Sequence, residues 1–181
     1  MFDDASAFNQ PIGNWDVSNV TLMGSMFGSN DFFNNTPTTS FNQPIGNWDV
    51  SKVIDMSGMF YCAKAFNQPL NNWDVGNVTG MSQMFSDAIV FNQPLDDWDV
   101  SKVTNMNGMF SCSVFNQDIS NWDVSKVTNM KFMFEVASLF NQDLSSWSVD
   151  GVTSCGGFSD GAPLTEANTP NFTNCSLINL R

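Results

Sequence analysis

Phe66-Asn67-Gln68-Pro69-Leu70-Asn71-Asn72-Trp73-Asp74-Val75-Gly76-Asn77-Val78-Thr79-Gly80-Met81-Ser82-Gln83-Met84-Phe85-Ser86-Asp87-Ala88 is one unit of a repeat, and the next unit starts at Phe91. The tripeptide Phe-Asn-Gln recurs with its Phe at Phe8, Phe41, Phe66, Phe91, Phe115 and Phe140, so the spacings are 33, 25, 25, 24 and 25. A Trp follows each Phe by seven residues, from Trp15 to Trp147. A fixed period of this length marks a stack of similar units rather than a conventional globular core. The long first spacing holds an eight-residue insertion between Phe27 and Phe41, whose Asn, Thr, Pro and Gly content reads as a surface loop.

Two periodicities alternate inside the unit. Trp73 and Val75 flank Asp74, which predicts a short strand with the apolar pair inward and the acid outward. Met81, Met84, Phe85 and Ala88 fall at i, i+3, i+4 and i+7, which predicts a short helix, with Thr79 placed to cap it. Gly24, Gly58 and Gly108 lie at the middle of such stretches and suggest short, 3₁₀-like helices under close packing. One unit carries roughly eight large apolar side chains, each worth about 1.5–3 kcal/mol once buried, but it cannot bury them alone. Stacked neighbours must cover one another. The rows of Trp, Phe and Met therefore read as core.

The string FNQPLxNWDVSxVTxMxxMF resembles the repeats of BspA-family leucine-rich-repeat surface proteins, and the likeness runs from Phe8 through Val152 in six copies. It implies an α/β fold: a right-handed leucine-rich-repeat-like solenoid of about six 25-residue coils, with short parallel strands on one face and short helices on the other. Leu70, Trp73 and Val75 stand where the LxxLxL core of such a repeat would, but Val78 stands where its Asn would be, so a β-solenoid is the alternative. The resemblance also implies an extracellular or cell-surface location, with a role in adhesion or assembly. It brings no catalytic residues.

Composition narrows the function. The 181 residues carry 18 acidic and 6 basic side chains, a formal net charge of −12, which disfavours nucleic acid and anionic membranes as partners. There is no histidine, and no stretch is apolar enough for a membrane span. No position departs from its repeat equivalents in a catalytic way, so the chain is not expected to be an enzyme, nor to need a cofactor.

Stacking turns each repeat position into a row. The row Asp16, Asp49, Asp74, Asp99 and Asp123 brings carboxylates about 5 Å apart, where neighbours repel by roughly 0.8 kcal/mol in water. Asx-type turns onto the Ser or Gly two residues on, or the nearby Lys52, Lys102 and Lys126, can offset this. Ca²⁺ is a further candidate, though no DxDxDG-like cluster is present. The row from Asn9 to Asn141 reads as structural, its amides bonding from turn to turn. A Thr row (Thr21, Thr79, Thr104, Thr128, Thr153) would permit ice binding, but Ile54 interrupts it.

Five sequons give glycosylation candidates at Asn19, Asn34, Asn77, Asn171 and Asn174. Cys62 and Cys112 share a repeat position two coils apart, beyond disulfide reach, and read as small core residues. Cys155 and Cys175 are the disulfide candidate, clamping a tail over the end of the stack. The organisation expected is a repeat region over 1–158 and a capping tail over 159–181. Met1–Phe8 aligns with Met84–Phe91, in the middle of a repeat, so the partners expected are like subunits or adjoining repeats stacked on that open N-terminal end, with a surface protein or glycan as further candidates.

Overall fold

The computed structural model describes residues 2–29 and 39–177; most of the inserted loop, and Asn34 with it, lies outside the described residues. Among the described residues there is no α-helix and no continuous strand. Their one regular element is a 3₁₀-helix of three residues at Glu166–Asn168. Parallel pairing shrinks to isolated bridges that run in file from coil to coil: Leu22–Asp55, Asp55–Gly80, Gly80–Asn105, Asn105–Asn129 and Asn129–Ser154. The expected α/β solenoid, with strands on one face and helices on the other, is overturned, and the β-solenoid alternative fails on the same finding. The chain is a stack of coils built from turns.

The stripe that predicted a helix is buried as expected, with Met81, Met84, Phe85 and Ala88 fully covered, yet its backbone is not helical. Gln83 and Asp87 take φ of 54° and 56°, in the left-handed region, and this breaks any i→i−4 ladder. Tight turns replace it: the N–H groups of Met84, Ser86 and Ala88 donate to the carbonyls of Met81, Gln83 and Phe85 at 3.2–3.3 Å. Three-residue turns bring side chains back to the same side at nearly helical intervals, so the apolar spacing is the same for both structures.

The intervening N–H groups leave the coil altogether. Met81, Gln83, Phe85 and Asp87 donate to the carbonyls of Asn105, Asn107, Met109 and Ser111 at 2.7–3.0 Å. The carbonyls of Gly80, Ser82, Met84 and Ser86 accept in turn from Met56, Gly58, Phe60 and Cys62 at 2.8–2.9 Å. Every second peptide thus hands its carbonyl back to the preceding coil and its N–H on to the next. Four files of hydrogen-bonded peptides run across the coils in this way. They place left-handed residues in rows, one of them Ser25, Gly58, Gln83, Gly108, Phe132 and Gly157. The glycines at 58 and 108 therefore mark a left-handed position, where they carry no Cβ penalty, and not a strained helix.

The core lies between the peptide files and the Trp-bearing side. Phe85 stacks on Phe91, the residue that opens the next unit, at 4.1 Å between ring centroids and on its own counterpart Phe110 at 5.8 Å; Phe91 continues to Phe115 at 6.3 Å. Trp98, Trp122 and Trp147 form a parallel column at 6.4–6.5 Å. Each buried indole also has a fixed polar partner. Nε1 of Trp48, Trp73, Trp98, Trp122 and Trp147 donates to the carbonyl of the Leu or Ile at the start of the preceding coil, at 3.0–3.2 Å. Asp74 faces outward between buried Trp73 and Val75, so the alternation predicted there holds without a strand.

The 24-residue coil closes by a substitution of donors. In the 25-residue coil, Phe91 N–H donates to Ala88 carbonyl at 3.2 Å. In the shorter one Ser113 takes over: its hydroxyl donates to Phe110 carbonyl at 2.7 Å and accepts from Phe115 N–H at 3.4 Å. Thr39, also two residues before a row Phe, makes the same reach to Phe27 carbonyl at 2.9 Å.

Candidate functional site

The Asp row is held locally. Asp16 and Asp49 each accept from the backbone N–H and the hydroxyl of the Ser two residues on, at 3.1 and 2.6 Å. The N–H groups of Gly76, Ser101 and Ser125 donate likewise to Asp74, Asp99 and Asp123 at 3.0–3.1 Å. These are Asx turns, and they belong to a single coil each. Bonds from the Ser hydroxyl and amide hold the carboxyls of Asp16, Asp49, Asp99 and Asp123 below the ordinary carboxylate range. Among the described residues no group of three His, Cys, Asp or Glu side chains is placed to hold a metal ion.

Lys52, Lys102 and Lys126 add a smaller electrostatic pull on the same row, on Asp16 and Asp49, Asp99 and Asp123, while the hydrogen bonds of the first two go to Asn side chains. Lys52 Nζ donates to Asn19 Oδ1 and Lys102 Nζ to Asn77 Oδ1, both at 2.7 Å and both on the preceding coil. Asn77 uses its nitrogen as well, donating Nδ2 to Ser51 carbonyl at 2.8 Å. Asn19 and Asn77 are exposed, as are Asn171 and Asn174.

The Asn-Gln row works as a side-chain ladder. Asn92 Oδ1 accepts from Asn116 N–H at 2.8 Å and from Gln117 Nε2 at 3.2 Å; Asn67 does the same for Asn92 and Gln93 at 3.1 Å each. The Thr row is a second ladder. Thr79, Thr104, Thr128 and Thr153 each donate both N–H and hydroxyl to the carbonyl one coil back. Thr79 therefore joins coils and does not cap a helix.

Cys155 and Cys175 are joined in a disulfide, with Cα atoms 5.9 Å apart. Cys62 and Cys112 are free and only half-buried, in left-handed positions on the row that also holds Asp87. The repeat alone could not reveal this non-repeated group. Burial raises the thiols of Cys62 and Cys112 and the carboxyl of Asp87 above their ordinary values, and it raises the hydroxyl of Tyr61 beside them. A protonated thiol is a poor nucleophile, so the group has the wrong charge state for thiolate chemistry. A small polar groove of about 120 Å³ lies beside Tyr61, walled by Ser25, Ser57, Ser82 and Gln83.

Coil after coil therefore repeats the same bonds, and the family comparison reflects that. A model described as "Mycoplasma protein of unknown function, DUF285" matches three times, over residues 1–79, 30–113 and 91–174. The chain belongs to this family. It is a tandem-repeat protein along almost its whole length. No curated protein and no solved structure matches the chain. No helix among the described residues is long and apolar enough to cross a membrane.

Proposed function

We propose that this DUF285-family chain is a non-enzymatic, extracellular interaction protein, an array used for adhesion or for end-to-end assembly into a surface structure, in the manner of the BspA-like proteins its repeat resembles. One observation carries the reading: one set of polar groups, repeated in coil after coil, bonds to the neighbouring coil. Trp Nε1, the Asn oxygen, the Thr hydroxyl and four N–H groups per coil all bond across the same interface. A coil is thus complementary to another coil, which is the property an assembling module needs. The disulfide between Cys155 and Cys175 supports an oxidising, extracellular setting. Exposed Asn19, Asn77, Asn171 and Asn174 are compatible with glycosylation there.

Electron microscopy with light scattering of the purified chain tests the proposal. Filaments, or a mass that grows with concentration, are the expected result; a strict monomer at every concentration and redox state would count against it.

A further inference from the structure

The segment after the last coil imitates a coil. Asn174 Nδ2 donates to Asp150 carbonyl at 2.7 Å, and Asp150 occupies the repeat position of Ser51, which receives the same bond from Asn77 at 2.8 Å. Leu177 carbonyl accepts from Gly157 N–H at 3.0 Å, as Gly156 carbonyl accepts from Phe132 N–H at 3.2 Å one coil earlier. Phe172 sets its ring edge-on to Phe158 at 5.0 Å, at the end of the Phe column. Cys155 follows Met106 and Met130 in the row of buried methionines, and the bond to Cys175 ties the tail down at that point.

We propose that the end face of the last coil is a docking surface for a coil of a second copy of this chain, and that the tail is its removable cover, latched by the Cys155–Cys175 disulfide. The proposal rests on the assembly reading above. The groups that the tail occupies, Asp150 carbonyl, Gly157 N–H and the Phe158 ring, are those through which inner coils accept a successor, so the occupant they fit is another coil of the same repeat. The tail and such a coil compete for one set of bonds.

The latch opens by thiol–disulfide exchange with a small dithiol. Cys155 is 1% exposed while Cys175 is only partly buried, so the incoming thiolate attacks Cys175 Sγ. The S–S bond breaks and Cys155 leaves as a thiolate that takes up a proton. The dithiol's second thiolate then closes on the mixed disulfide, releasing Cys175 as a thiol and the reductant as its own cyclic disulfide. Two electrons and two protons pass to the protein.

The test compares the 181-residue chain oxidised, treated with dithiothreitol, and as the Cys155→Ser/Cys175→Ser double variant, by amide hydrogen exchange and light scattering. Reduction is expected to speed exchange of the tail amides, read at Phe172 N–H and at Gly157 N–H, which the Leu177 carbonyl covers, by about tenfold or more, while amides of the inner coils keep their protection. The weight-average mass is expected to at least about double. The double variant should behave as the reduced chain does without any reductant. If the oxidised chain already grows to the same extent, the latch is overturned and the assembly reading stands. If reduction leaves the tail amides protected, the latch is likewise overturned. A tail that loosens on a chain that stays monomeric overturns both.

Discussion

Val136 holds a left-handed φ of 54° with a β-branched side chain that is 53% exposed, so it pays backbone strain with little burial in return. Asn tolerates that conformation far better, and Val136→Asn is expected to raise stability by about 1 kcal/mol, read as a shift in the denaturant midpoint at unchanged slope. Trp98 sits at the other extreme. Its indole is buried and its Nε1 satisfies Leu70 carbonyl at 3.0 Å. Trp98→Phe takes away one of that carbonyl's two donors and leaves it the Trp73 N–H at 3.0 Å, so the expected cost is about 0.5–1.5 kcal/mol beyond the area change in the same measurement; a loss no larger than the area change alone would argue that water replaces the indole. The rows of Trp, Phe and Met were readable as core from their spacing, because burial follows side-chain type. The roles of Val136 and Cys112 were not readable, because left-handed residues show in a sequence only where glycine occupies the site. Gly58 and Gly108 gave that hint, and it reads equally well as a tight helix.

The turn-built arch from Met81 to Ala88 shows why a helical apolar spacing failed to give a helix. Spacing reports which side chains share a face, and both a helix and successive three-residue turns satisfy it. What decides between them is the destination of every second N–H, which here bonds to the next coil and not four residues back. No local signal encodes that choice; it depends on the neighbouring coil being present. The Asx turns of the Asp row were legible, since Asp and a Ser or Gly two residues on are adjacent in sequence. The partnership of Lys52 with Asn19 was not, since it crosses coils. The arch also predicts how length varies. Deleting Ile89 from a 25-residue coil removes the turn that Phe91 N–H needs, so the deletion alone should destabilise by about 1–3 kcal/mol. Combined with Ala88→Ser it recreates the Ser113 closure, and the double change is expected to recover most of that loss. Thermal melts of the single and double changes decide the point.

Across the whole molecule the acidic surface sets the response to pH. Asp16, Asp49, Asp99, Asp118, Asp123 and Asp143 are all held below the ordinary carboxylate range, mainly by bonds from the Ser two residues on. A carboxyl whose pKa is lowered by folding adds stability above its unfolded pKa and loses it as pH falls through the folded value. The melting temperature should therefore hold between about pH 7 and 5 and fall below about pH 4. Asp87 has the opposite sign, because burial raises it: its cost is present near neutrality and vanishes in acid. Asp87→Asn is thus expected to raise the melting temperature at pH 7 and to have no such benefit at about pH 3. The peptide files carry one more consequence. A peptide that turns its carbonyl towards the preceding coil and its N–H towards the next lays its dipole, about 3.5 D, along the stack. Four such units per coil point one way and outnumber the groups that oppose them, the Thr and Asn N–H that point back and the Thr and Leu carbonyls that point on. The moments add as coils are added, so the stack is electrically a long arrow with a positive tip towards the C-terminal end. Copies joined end to end must then align tip to tail, and transient electric birefringence should find a permanent moment that grows with the length of the array.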